Sequence, residues 1–216
     1  MSLLRAIPAL SALTPAEIAE VDRDSHPLHW AAGAVIRPAG VPVRDVLLLL
    51  GGTVSAVAPT RSGTQVWVGR WQGPAMVDKA AALHRGGGVV PHQLIAATPC
   101  HGRLLPRHRF VALLEREYSV RERVLDRLAR DALAQQSRLA LASLPTTARV
   151  AAWLLAAEGG PAWSGSQEEL AMAMGVSRVT VNRALQRLAR AGCVRLAQCE
   201  IYVLDRGPLA VFADRG

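Results

Sequence analysis

The spacing of apolar residues along the chain predicts a β-rich segment followed by one long helix. From Trp30 onward, short apolar runs alternate with glycine and proline, which is typical of strands in a small antiparallel sandwich or roll. Residues 61–64, RSGT, predict a hairpin turn between two of these strands. Residues 109–143 contain neither glycine nor proline and predict a single long helix. We therefore expect a protein of the α+β class.

Two capping signatures mark further predicted helix starts. Thr14 with Glu17 predicts a short helix over 15–21, and Ser166 with Glu169 predicts a helix that begins one residue after Ser166. In each pair the hydroxyl and the carboxylate satisfy free amide protons at the helix start. Both helices are therefore predicted from local side chains alone.

The segment 164–192 is predicted to be two helices joined by a tight turn. Gly175 stands where the chain must reverse, a position at which a positive φ is cheap only for glycine. Ser177 has the side chain to cap the second helix. The apolar positions of the second helix recur at helical spacing and would face the first helix. They are Val181, Leu185 and Leu188.

The exposed face of this second helix suggests DNA as a partner. Guanidinium and amide groups suit phosphates and the base edges of a major groove. The exposed positions are Arg178, Val179, Thr180, Asn182, Arg183, Gln186, Arg187 and Arg190. A solvated arginine-rich face on a helix pair of an all-α core is the alternative that the spacing leaves open.

The run EELAMAMGVSRVTVNRALQRLARAGCV resembles the helix-turn-helix of the CRP/FNR family of bacterial transcription factors, which includes the cyclic AMP receptor protein. The matching positions are Gly175, Ser177, Arg178, Thr180, Val181 and Arg183. The resemblance implies a cytoplasmic regulator that binds a palindromic site on double-stranded DNA as a homodimer and acts on RNA polymerase. It also implies a set of DNA-binding residues: Gln167, Ser177, Arg178, Val179, Thr180, Asn182, Arg183 and Arg187.

Different roles are expected within that set. Arg178 and Arg183 are the candidates for base or phosphate contacts, whereas Gln167, Ser177 and Thr180 would contact phosphate. Many relatives have glutamate at the position of Val179, and valine cannot accept a hydrogen bond from cytosine. Valine can contact a thymine methyl, so we expect a different operator.

The segment 35–54 resembles the β-roll of the family's cyclic-nucleotide-binding-like sensor domain. It contains an apolar strand, a turn with Pro38 and Gly40, the apolar run 46–50 and two glycines. Cyclic-nucleotide binders carry a Phe-Gly-Glu run and, further along, an Arg-Ser or Arg-Thr pair that neutralises the phosphate. Here Pro74 stands at the position of the glutamate. The dipeptide Val-Pro at 90–91 stands near the position of the arginine-containing pair. A buried phosphate without a guanidinium would be left unpaired, so we do not expect cyclic AMP binding in the usual mode.

Two features of the sequence are candidates for effector binding. Arg85 precedes three glycines and is a weak phosphate candidate, because a flexible hairpin tip explains the same residues. Histidines in 84–108 leave a haem-based or other small-ligand sensor as the alternative function. Their spacing matches no recognised metal pattern, so we predict neither a metal nor a bound cofactor. No nucleophile–base pair is visible, and we do not expect an enzyme.

The long helix is predicted to form a dimer interface. Its apolar residues fall at alternating steps of three and four, and a helix of this length more often packs on a copy of itself than in its own domain. These residues are Leu114, Tyr118, Leu125, Leu128, Ala132, Leu139 and Ala142. An intramolecular core helix is the alternative. Two short β-runs after Gly192 predict a hairpin wing, whose Arg195 and Arg206 could contact phosphate.

Composition agrees with this organisation. We predict a sensor β-roll over 1–108, a dimerisation helix over 109–143 and a winged helix-turn-helix domain over 144–216. The formal charge of +8 suits a polyanionic partner, and all but one of the basic residues are arginine, the exception being Lys79. Three cysteines are too few for a disulfide framework, and no apolar run is long enough for a membrane span.

Overall fold

The computed structural model describes residues 3–59, 65–85, 87–157 and 160–214. The chain divides into two compact units, one formed by Met1–Ala58 with Val68–Leu133 and the other by Pro59–Trp67 with Ala134–Gly216. The turn predicted at 61–64 lies outside the described residues.

The strands of the first half form two four-stranded sheets, as the predicted β-roll requires. The strands are β1 (His26–Trp30), β2 (Val35–Arg37), β3 (Asp45–Gly51), β4 (Thr53–Pro59), β5 (Gln65–Gln72), β6 (Ala75–Val77), β7 (Gln93–Ala96) and β8 (Cys100–Pro106). The sheet orders are β1-β8-β3-β6 and β2-β7-β4-β5. Strand β8 pairs antiparallel with both β1 and β3.

Strand β3 is buried on both faces, which explains its unbroken apolar run. Leu47 and Leu49 pack in a cluster between the two sheets, whereas Val46 and Leu48 pack in a second cluster against helices. This alternation is the period of two expected for a strand. The cluster between the sheets consists of Leu47, Leu49, Val54, Ala56, Val77, Leu94, Ala96 and Cys100. Apolar side chains therefore occupy the interior of the β-roll.

Helices cover the outer face of the sheet that contains β3. Two short 3₁₀ segments, Leu3–Ala6 and Pro8–Leu10, precede α1 (Pro15–Asp24), and α2 (Lys79–Leu83), α3 (Arg107–Arg116) and α4 (Tyr118–Ala142) follow. The capping box at the start of α1 is confirmed, because Thr14 and Glu17 bond to each other's backbone amides. The helix continues three residues beyond the predicted end at Val21.

The prediction of a single helix over 109–143 is wrong, because the chain bends between α3 and α4. Glu117 has φ −103° and ψ 95°, which is extended backbone. The guanidinium of Arg116 bonds to the Glu117 carboxylate at 2.8 Å and to Glu20 of α1 at 2.7 Å. Phe110 of α3 and Val124 of α4 are buried in the same cluster. The bend therefore lets both helices pack on one core. It occurs in a segment without glycine or proline.

The second unit is a winged helix-turn-helix, and its wing is confirmed. Its elements are α5 (Thr146–Leu155), β9 (Trp163–Ser164), α6 (Gln167–Met174), α7 (Arg178–Arg190), β10 (Val194–Leu196), β11 (Glu200–Val203) and α8 (Arg206–Asp214). The sheet order is β10-β11-β9. Strand β9 and helix α8 had no counterpart in the prediction. Leu154, Leu170, Leu185 and Leu209 join four of the helices in one buried cluster.

None of the helices in the described ranges is both long enough and apolar enough to cross a lipid bilayer.

Candidate DNA-binding site

Helix α6 begins at the predicted capping box. The Ser166 hydroxyl accepts a hydrogen bond from the Glu169 amide at 3.1 Å, and the Glu169 carboxylate accepts one from the Ser166 amide at 2.9 Å. Two of the free amides at the helix start are thus satisfied. Leu170, Ala171 and Met174 are buried in the domain core. The cap and this buried stripe together fix the direction of α6.

The turn after α6 depends on Gly175 and on a contact that the sequence did not reveal. Gly175 has φ 66° and ψ 34°, the left-handed conformation that glycine adopts at low cost. The Val176 amide donates to the Ala171 carbonyl at 3.1 Å. From α5, the Arg149 guanidinium donates to the Met174 carbonyl and so caps the C-terminus of α6. The sequence near Arg149 does not indicate this contact, because the partner carbonyl lies 25 residues away.

Ser177 caps α7 as predicted. Its hydroxyl accepts a hydrogen bond from the Thr180 amide at 3.2 Å, and the two hydroxyls lie 2.8 Å apart. Val181, Ala184, Leu185 and Leu188 are buried. The two hydroxyl groups expected to contact phosphate therefore lie together at the start of α7, on the outside of the domain.

The face of α7 opposite its buried stripe is exposed and polar. Val179 is 59% exposed, and Arg183, Gln186 and Arg190 follow it on a strip about 60° wide, given 3.6 residues per turn. Arg178, Asn182 and Arg187 are exposed beside this strip. Six of the eight predicted residues thus lie on α7, where five are exposed and Thr180 is half-buried.

Most of the guanidinium groups on this face have no partner in the part of the chain that the structure describes. Arg178, Arg183 and Arg190 form neither hydrogen bonds nor ion pairs with those residues. Arg187 differs, because its guanidinium lies over the Phe212 ring of α8 at 5.8 Å from the centroid. Gln167, the first residue of α6, is half-buried. Unpaired and exposed guanidinium groups can bind phosphate or guanine at little desolvation cost.

The wing carries one oriented arginine. The Arg195 guanidinium lies 4.5 Å from the centroid of the Tyr202 ring, and the Tyr202 hydroxyl donates to the Glu200 carboxylate at 2.5 Å. This hydrogen bond raises the pKa of Tyr202 above its usual value. Arg206 is exposed, and its guanidinium donates to the carbonyls of Leu155 and Ala157 and so caps α5. Its contact with phosphate stays a prediction.

The effector candidates of the first unit lie on different elements of the fold. Arg85 is exposed in the turn after α2, and Pro74 is exposed before β6. His29 and His101 face each other across β1 and β8 with ring centroids 6.2 Å apart. In the described ranges, no group of three or more histidine, cysteine or acidic residues is arranged to hold a metal ion.

Comparison with known proteins agrees with this geometry. Residues 148–212 match the family model of the Crp-like helix-turn-helix domain. No curated protein matches the chain. Among solved structures, the c-di-GMP responsive global regulator CLP of Xanthomonas campestris is similar, with a TM-score of 0.73, 17% identity and coverage of 89% of this chain and 100% of that chain.

Two other solved structures give the same result. FixK2 of Bradyrhizobium japonicum has a TM-score of 0.70 and 16% identity, covering 89% of this chain and 98% of its own. A transcriptional regulator of the CRP/FNR family from Thermus thermophilus has a TM-score of 0.62 and 26% identity, covering 88% of this chain and 100% of its own. The chain therefore has the fold of CRP/FNR transcription regulators and ends in a Crp-like helix-turn-helix domain.

Proposed function

We propose that this protein is a cytoplasmic, sequence-specific transcription regulator that binds a palindromic operator as a homodimer. The observation that carries the proposal is the exposed face of α7, where Arg178, Arg183 and Arg190 have no partner among the described residues. A helix held by a cap at Ser177 and by a buried stripe can present these groups to a major groove.

Each predicted residue has a role in this proposal. Arg183 and Arg178 contact a guanine edge or a phosphate, Asn182 and Arg187 extend the contact, and Val179 contacts a thymine methyl. Three residues position the domain on the phosphate backbone: Gln167, Ser177 and Thr180. Because Val179 cannot accept a hydrogen bond from cytosine, the operator differs from that of relatives with glutamate at this position.

Helix α4 supports the homodimer. Tyr118, Leu125 and Leu139 are 64%, 52% and 74% exposed and recur at steps of seven, and Ala132 falls on the same stripe. Burying one large apolar side chain contributes about 1.5–3 kcal/mol, so a partner helix that covers this stripe would be strongly favoured. A dimer that binds both halves of a palindrome would present its two copies of α7 about one DNA turn apart.

We propose further that cyclic AMP does not control the protein in the usual mode. Pro74 offers no carboxylate for a ribose, and eight apolar side chains occupy the space between the two sheets. Promoter control would pass through contact with RNA polymerase, as the family pattern implies. The absorbance spectrum of the purified protein tests the haem alternative, since a Soret band would support it.

Binding-site selection from random DNA, followed by fluorescence anisotropy on the recovered sequence, tests the proposed function. We expect the selection to return a palindromic consensus. In anisotropy, binding should weaken with added salt and should be tighter for this consensus than for a scrambled duplex. Cyclic AMP should leave the affinity unchanged. A single half-site serves as the control for dimeric binding and should bind more weakly. Recovery of no consensus, or equal affinity for the scrambled duplex, would refute sequence-specific regulation.

A further inference from the structure

A cleft of about 360 Å³ runs along α4 on the outer side of β6, and we name it the α4 cleft. Ile7, Met76 and Val124 form its apolar floor, and Trp71 with Pro74 forms one wall. The volume is within the range of about 300–1,000 Å³ that small-molecule sites occupy. Met76 faces the helices while Val77 faces the other sheet, so the floor of the cleft lies on the helix side of β6. Trp71 also packs against the cluster between the two sheets, so it stands at the boundary of the β-roll interior.

The other wall of the α4 cleft is basic. Arg123, Arg127 and Arg130 project from α4 at steps of four and three residues, so their side chains share one face of the helix. Asp126 is the acidic residue that also lines the cleft. Lys79, the single lysine of the chain, lines it from α2 and is 7% exposed. The only lysine in the sequence is therefore buried in the lining of a cleft that three arginines also line.

The carboxylates that balance these cations are held in exchangeable pairs. Lys79 Nζ lies 3.0 Å from Asp131 Oδ2, and Arg127 Nε lies 2.9 Å from Asp131 Oδ1. Arg130 pairs with Asp126. The two arginine pairs join neighbouring turns of α4 and are exposed, and such pairs contribute little to stability. Counting Asp131, the cleft retains an excess of two positive charges.

Arg123 is held differently from the other two arginines. Its guanidinium donates to the Pro8 carbonyl at 3.2 Å and to the Ser11 hydroxyl at 2.8 Å. These contacts fix the N-terminal segment against α4 and close one end of the cleft. Arg127 and Arg130 are therefore the groups that are free to change partner.

We propose that the α4 cleft binds an organic phosphomonoester with a planar apolar body, of the size of a nucleoside monophosphate. The phosphate group of a monoester carries about −1.5 to −2 charges at neutral pH, which matches the excess of positive charge in the cleft. Its oxygens can replace the exposed carboxylates as partners of Arg127 and Arg130, because guanidinium–phosphate hydrogen bonds are charge-assisted and frequently bidentate. The body of the ligand would cover the apolar floor and the Trp71 wall.

The site leaves the proposed dimer stripe open. Arg127 follows Leu125 by two residues and lies about 200° away around the helix, at about 100° per residue. A ligand bound there would connect β6 and α2 to α4 without covering the stripe. The proposal concerns ligand binding alone and does not depend on the proposed DNA function.

Isothermal titration calorimetry of the full chain with AMP tests this proposal. Inorganic phosphate and adenosine are the matched ligands, since each carries one half of the proposed chemistry. We expect AMP to bind about tenfold or more tightly than either, and more tightly than cyclic AMP, whose phosphodiester carries a single charge. Inorganic phosphate binding as tightly as AMP, tighter binding of cyclic AMP, or no binding of AMP at millimolar concentration would overturn the proposal.

Variants locate the site. The double variant Arg127→Gln/Arg130→Gln removes two exposed guanidinium groups and should weaken AMP binding about tenfold or more. Arg23→Gln, which removes an exposed guanidinium from α1, is the charge control and should bind as the wild type does. Equal affinity of the double variant and the control would refute the α4 cleft as the site.

Lys79 supplies a second readout. Amine acetylation with peptide mapping reports on Lys79 and the N-terminal amine only, and AMP should slow acetylation of Lys79 without affecting the N-terminus. Acetylation of Lys79 at an unchanged rate under saturating AMP would contradict the proposal. DNA anisotropy on the same preparations keeps the two proposals distinguishable, because loss of AMP binding with intact DNA binding overturns this inference alone.

Discussion

Replacing Arg183 with alanine should remove base discrimination without affecting the fold. Arg183 is exposed, has no partner in the described part of the chain and lies in the middle of α7, where alanine is the best helix former. The free energy of unfolding should therefore change by less than about 0.5 kcal/mol. A bidentate arginine–guanine pair is worth about 1–3 kcal/mol of discrimination. Since a dimer reads two half-sites, the operator should lose about 2–6 kcal/mol, or roughly 30-fold to 10⁴-fold in affinity.

Fluorescence anisotropy on the selected operator and on a scrambled duplex measures this effect. For Arg183→Ala, the operator should lose far more affinity than the scrambled duplex, and one base pair should become degenerate in a repeated selection. Gln167→Ala is the matched comparison and should weaken both duplexes alike, because a phosphate contact carries no sequence information. Equal losses on the two duplexes for Arg183→Ala would refute the assignment of Arg183 to base reading.

Three substitutions and one chemical titration test other parts of the structure. Leu125→Glu places a charge on the exposed stripe of α4 and should shift the protein to a monomer in analytical ultracentrifugation; an unchanged mass would remove the stripe from the interface. Ser166→Ala should cost about 1 kcal/mol of unfolding free energy in a urea titration, whereas Ser166→Thr, which keeps the cap, should cost little. Burial opposes ionisation of Asp131, but the bonds to Lys79 and Arg127 outweigh it and lower its pKa, so its stabilising effect is present above its ordinary pKa of 3.8 and is lost as pH falls below that value. Asp131→Asn should therefore be less stable than the wild type at pH 7, and this difference should shrink as pH falls below 3.8. A thiol titration of the native protein should show one fast group, Cys199, because the other two cysteines are buried and react only on unfolding.

The helix-turn-helix could be predicted residue by residue because it is built from contacts over three or four positions. Ser166 bonds to Glu169, Ser177 bonds to Thr180, and Gly175 adopts the left-handed turn. Such contacts depend on the identity of near neighbours in the chain, so they can be recognised before any fold is known. The alternation that places Leu47 between the sheets is equally local, since a strand turns successive side chains to opposite faces.

The bend at Glu117 could not be predicted in this way. Neither glycine nor proline stands near it, and the Arg116 side chain beside it bonds to Glu20 in another helix. Similarly, the bond from Arg206 to the end of α5, 51 residues earlier in the chain, could not be predicted from its neighbours. In both cases the partner of the side chain is distant in sequence.

The sequence by itself thus determined helices α6 and α7, their N-terminal caps and their buried apolar faces. These features follow from local periodicity and from hydrogen bonds between near neighbours. Only the tertiary structure decided which cations remain unpaired and which are held by other groups. Lys79 meets Asp131 across 52 residues, whereas Arg183 has no partner in the described ranges. The physical reason is that the availability of a charge depends on everything packed around it, and that packing is set by contacts between residues far apart in the chain.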